Sequence, residues 1–166
     1  MNDLPNRKKL RLQGFDYSGN AYYFITLCTY ERQRLFDVSK LDDQMYVIPS
    51  ESLQNQILEK WLEELETKFS VIVDQYIVMS DHIHFILAIR EDFAKNNHGE
   101  TLSDIMGWYK TMTTNEYIAY VKQGLLSPFK RKIWQKSYYD HIIRNYQDYL
   151  DVKKYLANNP IKEIYK

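Results

Sequence analysis

The sequence predicts an α+β fold: a ferredoxin-like, split β-α-β antiparallel sheet with helices on one face. Three observations lead there. Runs rich in β-branched and aromatic residues fall at 22–29, 71–79, 82–89 and 139–143. Two long amphipathic stretches, opening near Pro49 and Thr101, divide those runs in the order strand, helix, strand, strand, helix, strand. No internal repeat, linker or low-complexity tract interrupts the chain, so residues 1–166 read as one domain.

Taken in order, residues 1–20 form a polar arm carrying Arg7, Lys8, Lys9 and Arg11, and end in turn-forming Gly14-Phe15-Asp16-Tyr17-Ser18-Gly19-Asn20. Such an arm is either a solvated tail or a track for a phosphate backbone. Tyr22 to Thr29 reads as a central strand, followed by a polar connection with a short strand near Met45–Ile48. Leu53, Ile57, Trp61, Leu65 and Phe69 recur every four residues with Leu58 and Leu62 beside them. That spacing gives a helix with a sheet-covering stripe and a solvated acidic face. Val71–Met79 and His82–Ile89 are strands separated only by Ser80-Asp81, an antiparallel hairpin. A polar loop over 90–100 carries an exposed His98. Thr101-Leu102-Ser103-Asp104 is a capping box, opening a helix whose buried face holds Ile105, Tyr109 and Met112 and which stops at Gly124. After a stretch mixing cations and aromatics, Lys130–Tyr139, comes a strand at Tyr139–Ile143. A last helix spans about 146–158; Pro160 is expected to end it near Asn159.

Composition bounds the function. The 45% apolar and 15% aromatic content suits a folded core. The 22 basic and 22 acidic residues cancel, so any nucleic-acid surface has to come from local segregation of charge. One cysteine, Cys28, excludes an internal disulfide and fits a reducing compartment. The absence of a long apolar run or signal segment makes a cytoplasmic protein without a membrane partner the expectation.

The chemistry centres on His82 and His84. On a strand they share a face, while Ile83, Phe85, Leu87 and Ile89 share the other. By spacing alone they are either a grip for a divalent cation or an ordinary half-exposed pair. Tyr155 and Asn159, four apart on the last helix, present a phenol beside an amide. Tyr155 equally fits the buried stripe of Tyr149, Val152 and Leu156.

The run Val78-Met79-Ser80-Asp81-His82-Ile83-His84-Phe85-Ile86-Leu87 resembles the histidine–hydrophobic–histidine (HUH) motif of single-tyrosine transposases, and looks most similar to the REP-associated tyrosine transposases related to insertion-sequence enzymes. Three further segments resemble that family in the same order. They are Gly14-Phe15-Asp16-Tyr17 leading into Tyr23-Phe24-Ile25-Thr26, Trp134-Gln135 through Tyr139-Asp140-His141-Ile142-Ile143-Arg144, and Tyr155 through Asn159-Pro160. The resemblance implies an HUH endonuclease fold that cleaves single-stranded or hairpin (REP-like) DNA and transfers the strand through a 5′-phosphotyrosine. It implies Tyr155 as nucleophile and His82, His84 and Asn159 as ligands of Mg²⁺ or Mn²⁺. Asp81, His141 and Lys154 are candidate neighbours of that site. DNA contacts are expected from Lys130, Arg131, Lys132, Lys136 and Arg144, whose neighbouring rings would stack on unpaired bases, and from the arm residues Arg7, Lys8, Lys9 and Arg11. The chain departs from the family where Ser80-Asp81 replaces the commoner Pro-Asn. A domesticated hairpin-binding module without cleavage is the alternative, and a monomer or a homodimer, with Tyr155 serving its own or a partner subunit, fits equally.

Overall fold

The structure, a computed structural model, describes residues 21–89 and 99–164. The arm residues Arg7, Lys8, Lys9 and Arg11, the Gly14–Tyr17 segment and His98 lie outside the described residues.

The central strand β1 (Ala21–Cys28) sends Tyr23, Ile25 and Leu27 to one side, all fully buried. A single 3-10 turn (Tyr30–Arg32) follows, then two short strands, β2 (Lys40–Leu41) and β3 (Val47–Ile48), which pair with each other. Helix α1 (Leu53–Lys68) starts after Ser52 and buries Ile57, Leu58, Leu62 and Leu65. Strands β4 (Val71–Met79) and β5 (His82–Ile89) form the hairpin. Helix α2 (Leu102–Lys122) opens with the expected capping box, Thr101 and Asp104 each bonding the other's backbone amide. Gly124, at φ +74°, turns the chain away beyond its end. Its buried face is Ile105, Met106, Tyr109, Thr113 and Tyr117; Met112 is half-buried. Strand β6 (Tyr139–Ile143) and helix α3 (Tyr146–Ile164) complete the described chain. Among the described residues no helix is long and apolar enough to cross a membrane.

The sheet order is β4-β5-β1-β6, all antiparallel, the order of a ferredoxin-like split β-α-β unit. Helices α1 and α2 cover one face, packing on Tyr23, Ile25, Leu27, Ile83, Phe85, Leu87 and Ile89. Helix α3 lies outside that unit and packs on the opposite face, where Val152 and Leu156 meet Ile77, Met79 and Ile86. A bulge at Asp74 shifts the register of β4 between Val73 and Gln75. Val71 and Val73 before it, and Tyr76 and Val78 after it, consequently all face the α1–α2 core.

One boundary differs from expectation. Helix α3 does not stop at Asn159 but continues through Pro160 to Ile164. Proline removes one backbone hydrogen bond. The last turn is held nonetheless, because Pro160 is buried and the Glu163 carboxylate accepts from the Ser80 hydroxyl and pairs with Arg34 at 3.2 Å.

Candidate active site

The turn Ser80-Asp81 fixes where β5 begins. Both the backbone amide and the hydroxyl of Thr29 donate to the Asp81 carbonyl, at 2.9 and 3.0 Å, tying the hairpin to the end of β1. Alternation along β5 then commits Ile83 and Phe85 to the core and sends His82 and His84 to the α3 face. The two imidazole centroids are 4.6 Å apart, with the rings inclined at 77°.

His84 is 4% exposed. Its Nδ1 meets the Thr26 hydroxyl, directly across the β1–β5 ladder, at 2.7 Å, and Phe24 stacks on its ring at 5.1 Å. Burial, then the nearby charges of His82 and Arg32, lower its pKa to about 3, so it is neutral at neutral pH. Its Nε2 is buried without a hydrogen-bond partner among the described residues. Such an orphaned nitrogen calls for an account.

His82 is held differently. Its Nδ1 pairs with one Asp81 oxygen at 2.6 Å, while Arg32 Nε donates to the other at 2.9 Å. Burial works against the charge on Asp81, but the His82 hydrogen bond and the Arg32 guanidinium outweigh it and keep the carboxyl below its ordinary range. In both imidazoles Nδ1 is committed, one to a hydroxyl and one to a carboxylate, which leaves Nε2 as the remaining nitrogen. That is how ligating histidines are oriented by outer partners, and a divalent cation fits this donor set. No group of three or more His, Cys, Asp or Glu side chains able to hold a metal occurs among the described residues. A third ligand from the described residues would therefore be of another chemical type.

Helix α3 brings Tyr155 and Asn159 to this pair. Tyr155 is 46% exposed, its ring 5.6 Å from His84 of the same chain and edge-on to Phe24 at 5.8 Å. One turn on, Asn159 donates its amide N–H to the Tyr155 carbonyl at 3.0 Å, a bond that does not engage its side-chain oxygen. Asn159 and His82 line one cleft of about 240 Å³ with Arg32, Arg34, Lys162 and Glu163. Lys162 Nζ lies 5.9 Å from the Tyr155 ring.

Several expectations are corrected. Strand β1 lies between β5 and β6, so His141 is not beside the histidine pair. It is 53% exposed in its side chain and bonds Asp148 at 2.9 Å, at the start of α3. Lys154 is exposed and sits one position from Tyr155, about 100° around the helix. The cation near the phenol is Lys162, seven residues on and hence on the same face. Two aromatic residues of the 130–139 stretch are not stacking platforms: Trp134 and Tyr138 are buried, Trp134 against Phe36 at 5.5 Å with its N–H donated to Thr113. The cations and Tyr139 face outward. Lys130 pairs with Glu31, Arg131 and Lys132 flank the Tyr30 ring, and Lys136 and Arg144 are exposed.

Sequence reasoning missed Thr26, Arg32, Lys162 and Glu163. The heptad step from Tyr155 could have indicated Lys162, and the likeness of Tyr155, Asn159 and Glu163 at intervals of four could have indicated Glu163. Thr26 and Arg32 carry no local signal, because strand pairing alone brings them to the histidines.

Comparison with known proteins gives a consistent result. The family described as IS200-like transposases matches residues 17–159. An uncharacterised protein of Haemophilus influenzae is 30% identical over 167 residues, covering 95% of this chain and 90% of its own. Among solved structures, a REP-associated tyrosine transposase bound to a REP hairpin superposes with a TM-score of 0.60 at 19% identity, over 92% of this chain and 74% of the other. A proposed transposase from Deinococcus radiodurans gives a TM-score of 0.50 at 15% identity, over 89% and 95% of the two chains. These last two likenesses are of fold.

Proposed function

The chain belongs to the IS200-like transposase family, and we propose that within it this protein is a metal-dependent single-stranded DNA endonuclease and strand transferase that acts on hairpin (REP-like) DNA through a 5′-phosphotyrosine. The observation that carries the reading is the meeting, within one chain, of a half-exposed phenol with a pair of imidazoles, one of which holds a buried Nε2 without a hydrogen-bond partner among the described residues.

His82, His84 and Asn159 are the residues that would hold Mg²⁺ or Mn²⁺. The bound cation would withdraw charge from a non-bridging oxygen of the scissile phosphate. The Tyr155 oxygen forms a bond to phosphorus as the bond from phosphorus to the 3′ oxygen breaks, and that oxygen leaves with a proton as a 3′-hydroxyl. Reversal by another 3′-hydroxyl releases the tyrosine and joins strands. A phenol of ordinary acidity, with a pKa of about 10, is a weak nucleophile at neutral pH. The Lys162 ammonium lies 5.9 Å from the Tyr155 ring. Asp81, itself held by Arg32, orients His82; Thr26 orients His84. The neighbour solved with a REP hairpin motivates that substrate. Arg131, Lys132, Lys136 and Arg144 are the exposed cations for its phosphates.

The test is incubation with an end-labelled hairpin carrying single-stranded flanks, with Mn²⁺, followed by denaturing electrophoresis. A covalent protein–DNA adduct is expected, abolished by Tyr155→Phe and by chelation. An adduct that survives Tyr155→Phe refutes the nucleophile. Hairpin binding with no adduct under any divalent ion would leave a binding module in place of the enzyme.

A further inference from the structure

The protein's tyrosines divide into two kinds. Tyr23 and Tyr109 are fully buried in the core. Tyr146, by contrast, is 73% exposed and Tyr22 48%, yet the two converge on Tyr149. Tyr146 stacks on Tyr149 at 6.3 Å and 25°, and Tyr22 meets it edge-on at 6.3 Å. With Asp74, Ile143 and Arg144 they line a cavity of about 470 Å³ at the end of the sheet remote from the hairpin turn. Tyr149 is fixed there by donating its phenol to the bulge residue Asp74 at 2.5 Å; burial and that carboxylate push the phenol's pKa up and keep it protonated. Two exposed rings and the half-buried Tyr149 around one concavity form the kind of apolar patch that marks a ligand-binding groove. Two cations flank the rings: Arg144 in the wall and Lys153, whose Nζ lies 5.3 Å from the Tyr149 ring.

The pocket lies on the same face of the sheet as the candidate active site. Tyr22, Phe24 and Thr26 share the α3 face of β1, and Phe24 touches both His84 and Tyr155. Along α3, Tyr146 and Tyr155 are nine residues apart, an axial rise of about 14 Å with the two side chains half a turn apart around the helix. A strand joining them therefore covers at least about four nucleotides at the 3.4 Å spacing of a stacked strand.

We propose that Tyr22, Tyr146 and Tyr149, with Arg144 and Lys153, form a site for an unpaired nucleobase of the DNA flanking the hairpin, anchoring the strand whose phosphate meets Tyr155. The inference rests on the proposed activity for its substrate class, but it concerns a separate surface and predicts a separate loss. The rings supply sequence-tolerant stacking, and the two cations take the adjoining phosphates.

Binding is measured by fluorescence anisotropy in the Tyr155→Phe background without divalent ions, so that nothing is cut. The probes are one hairpin oligonucleotide bare and the same hairpin with a 5′ or a 3′ single-stranded tail. A tail on one side is expected to tighten binding. Tyr146→Ala should weaken that tailed complex by roughly 5- to 100-fold, the range for loss of one base–aromatic stack, while leaving the bare hairpin's affinity unchanged and Tyr146→Trp close to the parent. A 2-aminopurine placed about four nucleotides from the cleavage point should be quenched by the parent and not by Tyr146→Ala. Equal affinity for tailed and bare hairpins, or an equal loss on both in Tyr146→Ala, overturns this site while leaving the hairpin reading standing. No binding to any of the probes overturns both.

Discussion

Replacing Thr26 by valine tests how His84 is prepared. The two side chains have nearly the same shape, so the change removes one hydroxyl and little else. That hydroxyl is bonded at 2.7 Å to the Nδ1 of an imidazole 4% exposed. Leaving a buried polar nitrogen unpaired costs about 1–3 kcal/mol. For a domain of this size each kcal/mol moves the melting temperature by about 2–4 °C, so Tm should fall by roughly 2–12 °C in the presence of chelator. The same bond also fixes which nitrogen faces the proposed cation. With the Nδ1–H donated to Thr26, Nε2 keeps its lone pair; with the ring released, both tautomer and direction are free. Loss of such an outer partner typically weakens metal binding 10- to 100-fold, read by calorimetric titration with MnCl₂. A lowered Tm with Mn²⁺ affinity unchanged would refute the ligand-orienting role, and no change in either would refute the whole argument.

Three other outcomes are expected. Burial holds His84 near pKa 3 against 6.5 in an open chain. The unfolded state therefore binds the extra proton as pH drops below 6.5, and stability should fall by about 1.4 kcal/mol per pH unit there. Thermal melts from pH 7 to 5 in chelator check this, and His84→Gln should flatten that window, which lies above the range where the held-down Asp81 and Asp148 carboxyls titrate. Glu163→Gln should lower the rate of adduct formation more than DNA affinity, because it weakens the tie from the last turn of α3 to Ser80 and Arg34 that keeps Tyr155 over its own histidines; single-turnover rates against anisotropy separate the two. Trp134→Ala should destabilise the fold by about 3–5 kcal/mol, measured by urea denaturation, since the ring is a core element bonded to Thr113.

The parts of this molecule that obey a short period were legible in advance. Strand alternation put both imidazoles on one face, and helical spacing put Tyr155 near Asn159, because each depends only on neighbours in the chain. What escaped depends on pairing between distant segments. His141 looked like a neighbour of the histidines until β1 came between their strands. Trp134 and Tyr138 look like DNA-contacting rings in a basic stretch, and only the tertiary packing against Phe36 and α2 makes them core. Pro160 was expected to stop α3; the side-chain ties of Glu163, invisible in local preference, hold the following turn. Arg32 and Thr26 became visible only once the β1–β5 register was known.

The bulge at Asp74 has a bearing on how the chain can change length. Two faces of β4 exchange parity there, so a residue has in effect been added to the hairpin without reversing anything nearer its turn. An insertion or deletion close to Asp74 can be absorbed in the same way. One between Val78 and Phe85 would swap an imidazole for an aliphatic side chain in the core and expel that aliphatic to the α3 face. Tolerance to insertion is therefore polarised along a single hairpin, permissive at the distal end and forbidding at the turn, and a scan of one-residue insertions should trace that gradient.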